Sequence, residues 1–327
     1  MPSALIIRPS SLGDIVHALP LVHDLKQHQP SIAVDWVAEE PFAALVALNH
    51  GVRHVIQVAL RRWRYRLLQP STWREMAAFR RELARESYDA VIDLQEQVKG
   101  ALVAALARGP VHGPDRTSIR EPLATLAYRH THRIDPNQHL IDRCRALAGA
   151  AFGYQPAGPA QFDLSPQQPD DAPGGPYAIF FHSTSRNDKL WSEAYWRSLI
   201  SHFTRAGLTV LLPWGDALER SRSERLAAGI PSALVPDRRS LPELASLFAG
   251  AELVCGVDTG LVHLAAAVGA PTVSLFVATD PRLAGVERAS VRARDLGGVG
   301  VVPTPAEVIA AATDIARGRE LANQSAS

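Results

Sequence analysis

The chain has 327 residues, enough for two domains of ordinary size; 46% of them are hydrophobic and 20% are charged, a globular composition. Lysine and arginine total 34 against 33 acidic residues, a formal charge of +1, so nothing global calls for nucleic acid or a membrane surface. No apolar run approaches the ~18–20 residues of a membrane span.

"MPSALIIRPSSLGD" meets Arg8 and Asp14 too soon for a secretory h-region, so no export is expected. Cys144 and Cys255 lie far apart inside apolar segments and read as buried thiols in a reducing cytoplasm, neither bridge nor metal site.

Short apolar runs alternate with helix-period segments. "ALIIR", "IAVDWVA", "HVIQVA" and "AVIDL" fall in the first half; "YAIFFHS", "TVLLPWG", "ELVCGVD" and "TVSLFV" fall in the second. Runs of this kind are buried parallel strands of βαβ units. "SPQQPDDAPGGP", Ser165 to Pro176, has no apolar period to bury and reads as a linker. The pattern predicts two doubly wound α/β domains, 1–165 and 177–327, with 166–176 between them. Ligands in such sheets sit outside the C-terminal strand ends, so a cleft between the domains is the expected site. Thr304-Pro305 starts a last helix.

Six stretches have the residue types that chemistry needs. In "PSSLGDIVHALP" an aspartate, Asp14, stands where a strand becomes a helix; it is either a helix cap or a base. "LRRWRYR" sets Arg61, Arg62, Arg64 and Arg66 around Trp63 and Tyr65, and "SIREPLA" adds Arg120. Clustered guanidinium groups with aromatics suit a carboxylate or phosphate on an amphipathic partner, or form a solvated loop. "FFHSTSRNDKLW" offers the hydroxyls of Thr184 and Ser185 and the ammonium of Lys189, which suit a phosphate cluster without a metal. In "PWGDALERSRSERLA" Glu219 could hold a ribose, though a solvated glutamate is favoured. "VCGVDTGLVHLAAAVG" places Asp258, Thr259 and Gly260 at a helix N-terminus, where free N–H groups suit a diphosphate; His263 is one turn along. There is no G-x-G-x-x-G after the first strand, no P-loop and no zinc-spaced cysteine pair.

"SSLGDIVHALP", "LRRWR", "SIREPLA", "HSTSRNDKLW", "PWG" and "VDTGLVHLAAAVG…PTVSLF…TDP" stand together in an order that resembles the bacterial lipopolysaccharide heptosyltransferases, from Leu5 to about Asp280. R-R-W-R and R-E-P-L-A favour the branch that adds the first inner-core heptose. The resemblance implies a GT-B fold, two Rossmann-like domains facing each other across a cleft, in which the helix after Pro305 could cross back to the first domain. It implies metal-independent, inverting transfer from ADP-L-glycero-β-D-manno-heptose to a Kdo hydroxyl of Kdo2-lipid A, at the cytoplasmic face of the inner membrane. Asp14 matches the base and Lys189 the leaving-group partner. Thr184, Ser185, Lys189, Glu219, Asp258, Thr259, Gly260 and His263 match donor contacts; Ser11, Gly13, Arg61, Arg62, Arg64 and Arg120 fall on the acceptor side.

Two departures stand out. Glu96-Gln97 in "DLQEQVKG" replaces the family's Gly-Leu and puts a negative charge near the acceptor. Val277-Ala278 in "VATDP" replaces Gly-Pro. The rival readings are an ADP-heptose transferase with another acceptor and a bilobal ligand-binding protein, a class that normally has an export signal.

Overall fold

The structure is a computed structural model that describes residues 1–167, 172–184 and 186–325, with the side chains of the last helix as far as Ala316. It divides into two compact units, Met1–Ser165 and Pro166–Ser327.

The first unit holds six strands: β1 (Ser3–Ile7), β2 (Ala33–Glu39), β3 (Val52–Val58), β4 (Ala90–Asp93), β5 (Val111–Pro114) and β6 (His130–His132). They form one parallel sheet in the order β3-β2-β1-β4-β5-β6. The second unit repeats the pattern with β7 (Tyr177–Phe181), β8 (Thr209–Leu211), β9 (Ala233–Leu234), β10 (Leu253–Val257), β11 (Thr272–Phe276) and β12 (Ala293–Gly297). Its order, β12-β11-β10-β7-β8-β9, is the same one when each sheet is counted from its own first strand. Helices between the strands make each unit a doubly wound α/β layer.

The strands form where burial on both faces favours uninterrupted apolar residues. Leu5, Ile7, Val37 and Val91 pack with Trp63 and Phe79 in the first core. Phe180, Trp191 and Trp196 anchor the second, the two indoles edge to face with centroids 4.9 Å apart. Thr304 begins the last helix, Pro305–Ser325, its N–H and hydroxyl both donating to Glu307 at 2.7 Å. Val308, Ala312 and Ile315 then pack into the second core. The expected return of this helix to the first domain falls on later residues whose side chains lie outside the described ones.

Four strands escape the sequence pattern. β5 and β6 read "VHGP" and "HTH", β9 has two residues, and β12 reads "ARDLG". Three of these, β6, β9 and β12, are edge strands, where partial exposure relaxes the demand for apolar residues.

Strand order reverses between β1 and β4 in one sheet and between β7 and β10 in the other. Open α/β sheets of this order bind ligands outside the carboxyl ends of the strands beside such a reversal. Close packing marks the end of β10. A Cβ on Gly256 of β10 would lie 2.6 Å from Val262 Cγ1, so glycine there lets the next helix settle on the sheet.

Candidate active site

In the first unit, Arg8 directly follows β1, and Ser11 is the N-cap of the helix Leu12–Ala18. Asp14 is therefore the third helical residue and not the cap that its position after a glycine suggests. Its Oδ2 accepts from the Ser11 N–H and hydroxyl, both at 2.9 Å, while Oδ1 faces Arg8 Nη2 at 3.0 Å. Gly13 lies beside it in the same first turn. His17, one turn on, is buried with its ring edge-on to His139, 5.5 Å between centroids.

Asp14 opens into a cavity of about 380 Å³, lined also by Arg8, Gln95, Glu96, Arg120 and Arg143. Burial opposes ionisation of Asp14, but the Arg8 guanidinium and the Ser11 hydrogen bonds outweigh it and hold the carboxyl below its ordinary value. Asp93, fully buried at the end of β4, accepts from Tyr128 Oη at 2.8 Å and from the Gln95 N–H at 2.8 Å. Its burial wins, and the carboxyl is pushed up to about 6 despite those bonds and the charge of Arg8. One guanidinium thus acts on two carboxylates.

Glu96 contributes a second acid to this cavity and adopts φ of 57°, the left-handed region that favours glycine. Both of its oxygens accept from Arg143 Nη2, at 2.9 and 2.8 Å. The charge that the sequence adds to the acceptor side is therefore paired within the cavity wall. Glu121 of "SIREPLA" accepts from the Val98 N–H at 2.8 Å and from Gln97 Nε2 at 3.1 Å, tying that loop to the start of the helix Val98–Ala104. Its neighbour Arg120 is exposed and lines the cavity.

Arg61, Arg62 and Arg64 do not line this cavity; they sit on and after the short helix Leu60–Trp63 that follows β3. Arg62 bridges Glu40 and Glu75, each at 2.8 Å, and Trp63 is buried with its indole N–H on Glu75. The Arg61 guanidinium lies over the Phe42 ring at 5.4 Å, and that of Arg64 over Tyr65 at 4.5 Å.

In the second unit Asp258 follows β10, Thr259 is the N-cap of the helix Gly260–Ala267, and Gly260 is its first residue. The Thr259 side chain makes no capping hydrogen bond, and the first N–H groups of the helix have no intrahelical acceptors. Lys189 Nζ donates to Asp258 Oδ2 at 2.5 Å, and the Thr279 hydroxyl donates to the same oxygen at 2.7 Å. His263 Nε2 lies 3.6 Å from Oδ1. Thr184 Oγ1 donates to the Asp258 carbonyl at 3.4 Å. Burial again opposes ionisation of Asp258, and His263, Lys189 and Thr279 together overcome it, holding the carboxyl far below the ordinary range.

Thr184, Lys189, Asp258 and His263, drawn from two stretches some seventy residues apart, are thus one cluster, joined by Thr279, which residue-type reasoning missed. Ser185 lies outside the described residues. Glu219 is the third residue of the helix Ala217–Ala227; its carboxylate accepts from the Gly215 N–H at 2.6 Å while Asp216 caps its own N–H. In the structure it serves its helix start.

Both cysteines are free and buried, Cys144 with its thiol pushed up to about 12 by burial and Cys255 raised for the same reason. Among the described residues no group of three His, Cys, Asp or Glu is placed to hold a metal ion. Nor is any helix there long and apolar enough to cross a membrane.

Residues 76–295 match the profile of glycosyltransferase family 9 (heptosyltransferase). Lipopolysaccharide heptosyltransferase 1 of Salmonella typhimurium is 43% identical over 285 residues, 86% of this chain and 90% of that protein. The protein of the same name from Pseudomonas aeruginosa is 44% identical over 284 residues, 86% of this chain and 80% of its own length. The solved structure of E. coli heptosyltransferase WaaC with ADP superposes with a TM-score of 0.89 at 38% identity, covering 96% of this chain and 99% of that one.

Proposed function

This chain belongs to glycosyltransferase family 9, the heptosyltransferases, and we propose that it transfers L-glycero-D-manno-heptose from ADP-L-glycero-β-D-manno-heptose to a Kdo hydroxyl of Kdo2-lipid A. Relatives named lipopolysaccharide heptosyltransferase 1, at 43–44% identity, support the acceptor class. The superposable E. coli enzyme has been solved with ADP and with ADP-2-deoxy-2-fluoro heptose, which supports the donor. A lipid acceptor implies work at the cytoplasmic face of the inner membrane.

One observation carries the reading. Each sheet has, at its strand-order reversal, an aspartate held ionised by a cation: Asp14 with Arg8, and Asp258 with Lys189. The first carboxylate faces a cavity that also holds Arg120 and Arg143, a setting for an acidic sugar whose hydroxyl must lose a proton. Asp14 acts as the base that takes this proton while the hydroxyl attacks the anomeric carbon from the face opposite the diphosphate, so the configuration inverts.

The second cluster sets Lys189 beside the uncapped start of the helix Gly260–Ala267. Together they stabilise the charge that builds on the departing ADP, the task for which many sugar transferases use a divalent cation. Thr184, Thr259, Gly260 and His263 line the diphosphate, and Asp258 holds Lys189 and Thr279 in place until it arrives. Ser11 and Gly13 shape the turn that presents Asp14.

The test is mass spectrometry of Kdo2-lipid A incubated with the protein and ADP-heptose in excess EDTA. One added heptose is expected, undiminished by the chelator. Absence of product with and without added magnesium overturns the reading; product only on a core already carrying heptose moves the protein to a related transferase.

A further inference from the structure

The segment after Arg62 does something that neither cluster explains. From Leu60 to Arg74 the chain carries five arginines and no acidic residue, in a protein whose net charge is +1. Arg62 is bridged by Glu40 and Glu75, but Arg61, Arg64, Arg66 and Arg74 form no ion pair among the described residues. Residues 64–71 are exposed without interruption.

The apolar side chains here point outward. Leu68 is fully exposed, Tyr65 is 76% exposed, Trp73 58% and Leu67 47%. Such a concentration at one tip is unfavourable in water and is not the scatter of single apolar residues that folded surfaces tolerate. The tip is nonetheless built. Trp63 is buried beneath it against Phe79, Thr72 is buried at the start of the helix Pro70–Leu83, and the Trp73 indole N–H donates to the Leu67 carbonyl at 2.8 Å. With that N–H already satisfied, the Trp73 ring presents a face with no polar demand left to meet.

Leucines, a tryptophan and a tyrosine interleaved with unpaired arginines match one kind of partner. The rings and leucines suit the boundary between headgroups and acyl chains, while arginine stems lie along the same boundary with their charges on lipid phosphates. We propose that the Tyr65–Arg74 tip docks on the surface of an anionic phospholipid bilayer, independently of the sugar-bearing acceptor. The proposal rests on the reading that the acceptor is a lipid, and it assigns to this tip the task of holding the protein at the surface where that lipid resides.

The test uses the full chain and vesicles of phosphatidylethanolamine with phosphatidylglycerol, free of any lipopolysaccharide precursor. Flotation should recover the protein with these vesicles and not with phosphatidylcholine alone, and added salt should release it. Leu67→Ser with Leu68→Ser should lower partitioning at least about tenfold. Arg66→Gln with Arg74→Gln should lower it about 25-fold, taking about fivefold for each arginine. All four side chains are exposed, so melting should not change, and the leucine variant should keep its turnover on detergent-dispersed acceptor.

Brominated acyl chains should quench part of the tryptophan emission in the wild type and none of that part in Trp73→Phe. Equal flotation of the leucine variant, or binding to neutral vesicles alone, overturns the proposal, as does a dimer in ultracentrifugation that the leucine substitutions dissociate. Flotation without transfer to Kdo2-lipid A would refute the enzymatic reading and leave the docking surface standing; transfer without flotation does the reverse.

Discussion

The two halves of this protein share a strand order and place an aspartate at the same point of it, yet the two carboxylates are held by different kinds of cation. Arg8 directly follows β1 and is buried, with its guanidinium fixed against Asp14. Lys189 sits in a loop after β7 and reaches Asp258 with a flexible stem. A fixed guanidinium suits a carboxylate that must stay ionised and aimed. An ammonium on a flexible stem suits a charge that has to be passed to an arriving diphosphate. The topology supplies the position, and the partner decides the task.

The largest effect should come from taking proton acceptance from the first carboxylate while keeping its shape. Asp14→Asn should fold normally and bind ADP-heptose with near-native affinity, yet lose roughly 10²–10⁴ in kcat. Its place as the third helical residue makes this variant cleaner than a cap substitution, because Ser11 keeps the capping position. Full turnover at neutral pH would assign the proton to another group. Lys189→Ala should follow, with kcat/KM down by on the order of 10²–10³ and the loss shared with donor affinity. A variant near wild type in a continuous ADP-release assay would end the parallel between the halves.

Arg8→Gln sharpens the comparison through pH. In the wild type Arg8 and Ser11 depress the Asp14 carboxyl against the pull of burial. The ionised base therefore persists to below the ordinary value of 3.8, and the acid limb of kcat/KM should not be set by Asp14 near neutrality. The same depression adds stability above that value, which is lost as pH falls through the lower native one. Without Arg8 only the Ser11 hydrogen bonds oppose burial, so the acid limb should move upward. A pH–rate profile identical to the wild type would show that Arg8 only packs.

Glu96→Gly should have the smallest effect on turnover. It relieves about 1 kcal/mol of left-handed backbone strain but leaves the mostly buried Arg143 guanidinium without its carboxylate, a larger loss, so melting should fall. The cavity then gains the uncompensated charge of Arg143, and KM for the acidic acceptor should fall while that for the donor is unchanged. An unchanged acceptor KM would place Glu96 outside the acceptor's reach.

Most of this architecture could be read from residue order, because buried parallel strands have an apolar signature that needs no partner to interpret. Eight strands and the last helix follow from it. β5, β6, β9 and β12 do not, since short marginal strands containing glycine, proline or charge have lost that signature. The clusters were half legible. Asp14, Lys189 and Asp258 stand at strand-to-helix turns that chemistry marks. Arg8 does not, because an arginine ending an apolar run gives no sign of turning inward. Arg143 reaches Glu96 from 47 positions away, and no local pattern links them. Thr279 was read only as part of a turn with an unusual sequence, yet it bonds Asp258. Asp14 does serve the helix start, as the capping-box partner that accepts from the Ser11 N–H, but with serines before the Leu-Gly pair the N-cap itself lies three residues earlier.

Each aspartate draws its ring of partners from its own half. Arg8 and Ser11 serve Asp14, while Lys189, His263 and Thr279 serve Asp258. Heritable change in one ring therefore need not be matched in the other. On the proposed roles, a lineage can drift toward a new acceptor by altering the Glu96–Arg143 wall and leave nucleotide recognition untouched. Substitutions across a set of descendants should then accumulate in two independent groups, with coupled replacements inside each half and few between them. Duplicated strand order joined to private partners is, in evolutionary terms, a licence for the two recognition tasks to diverge at separate rates.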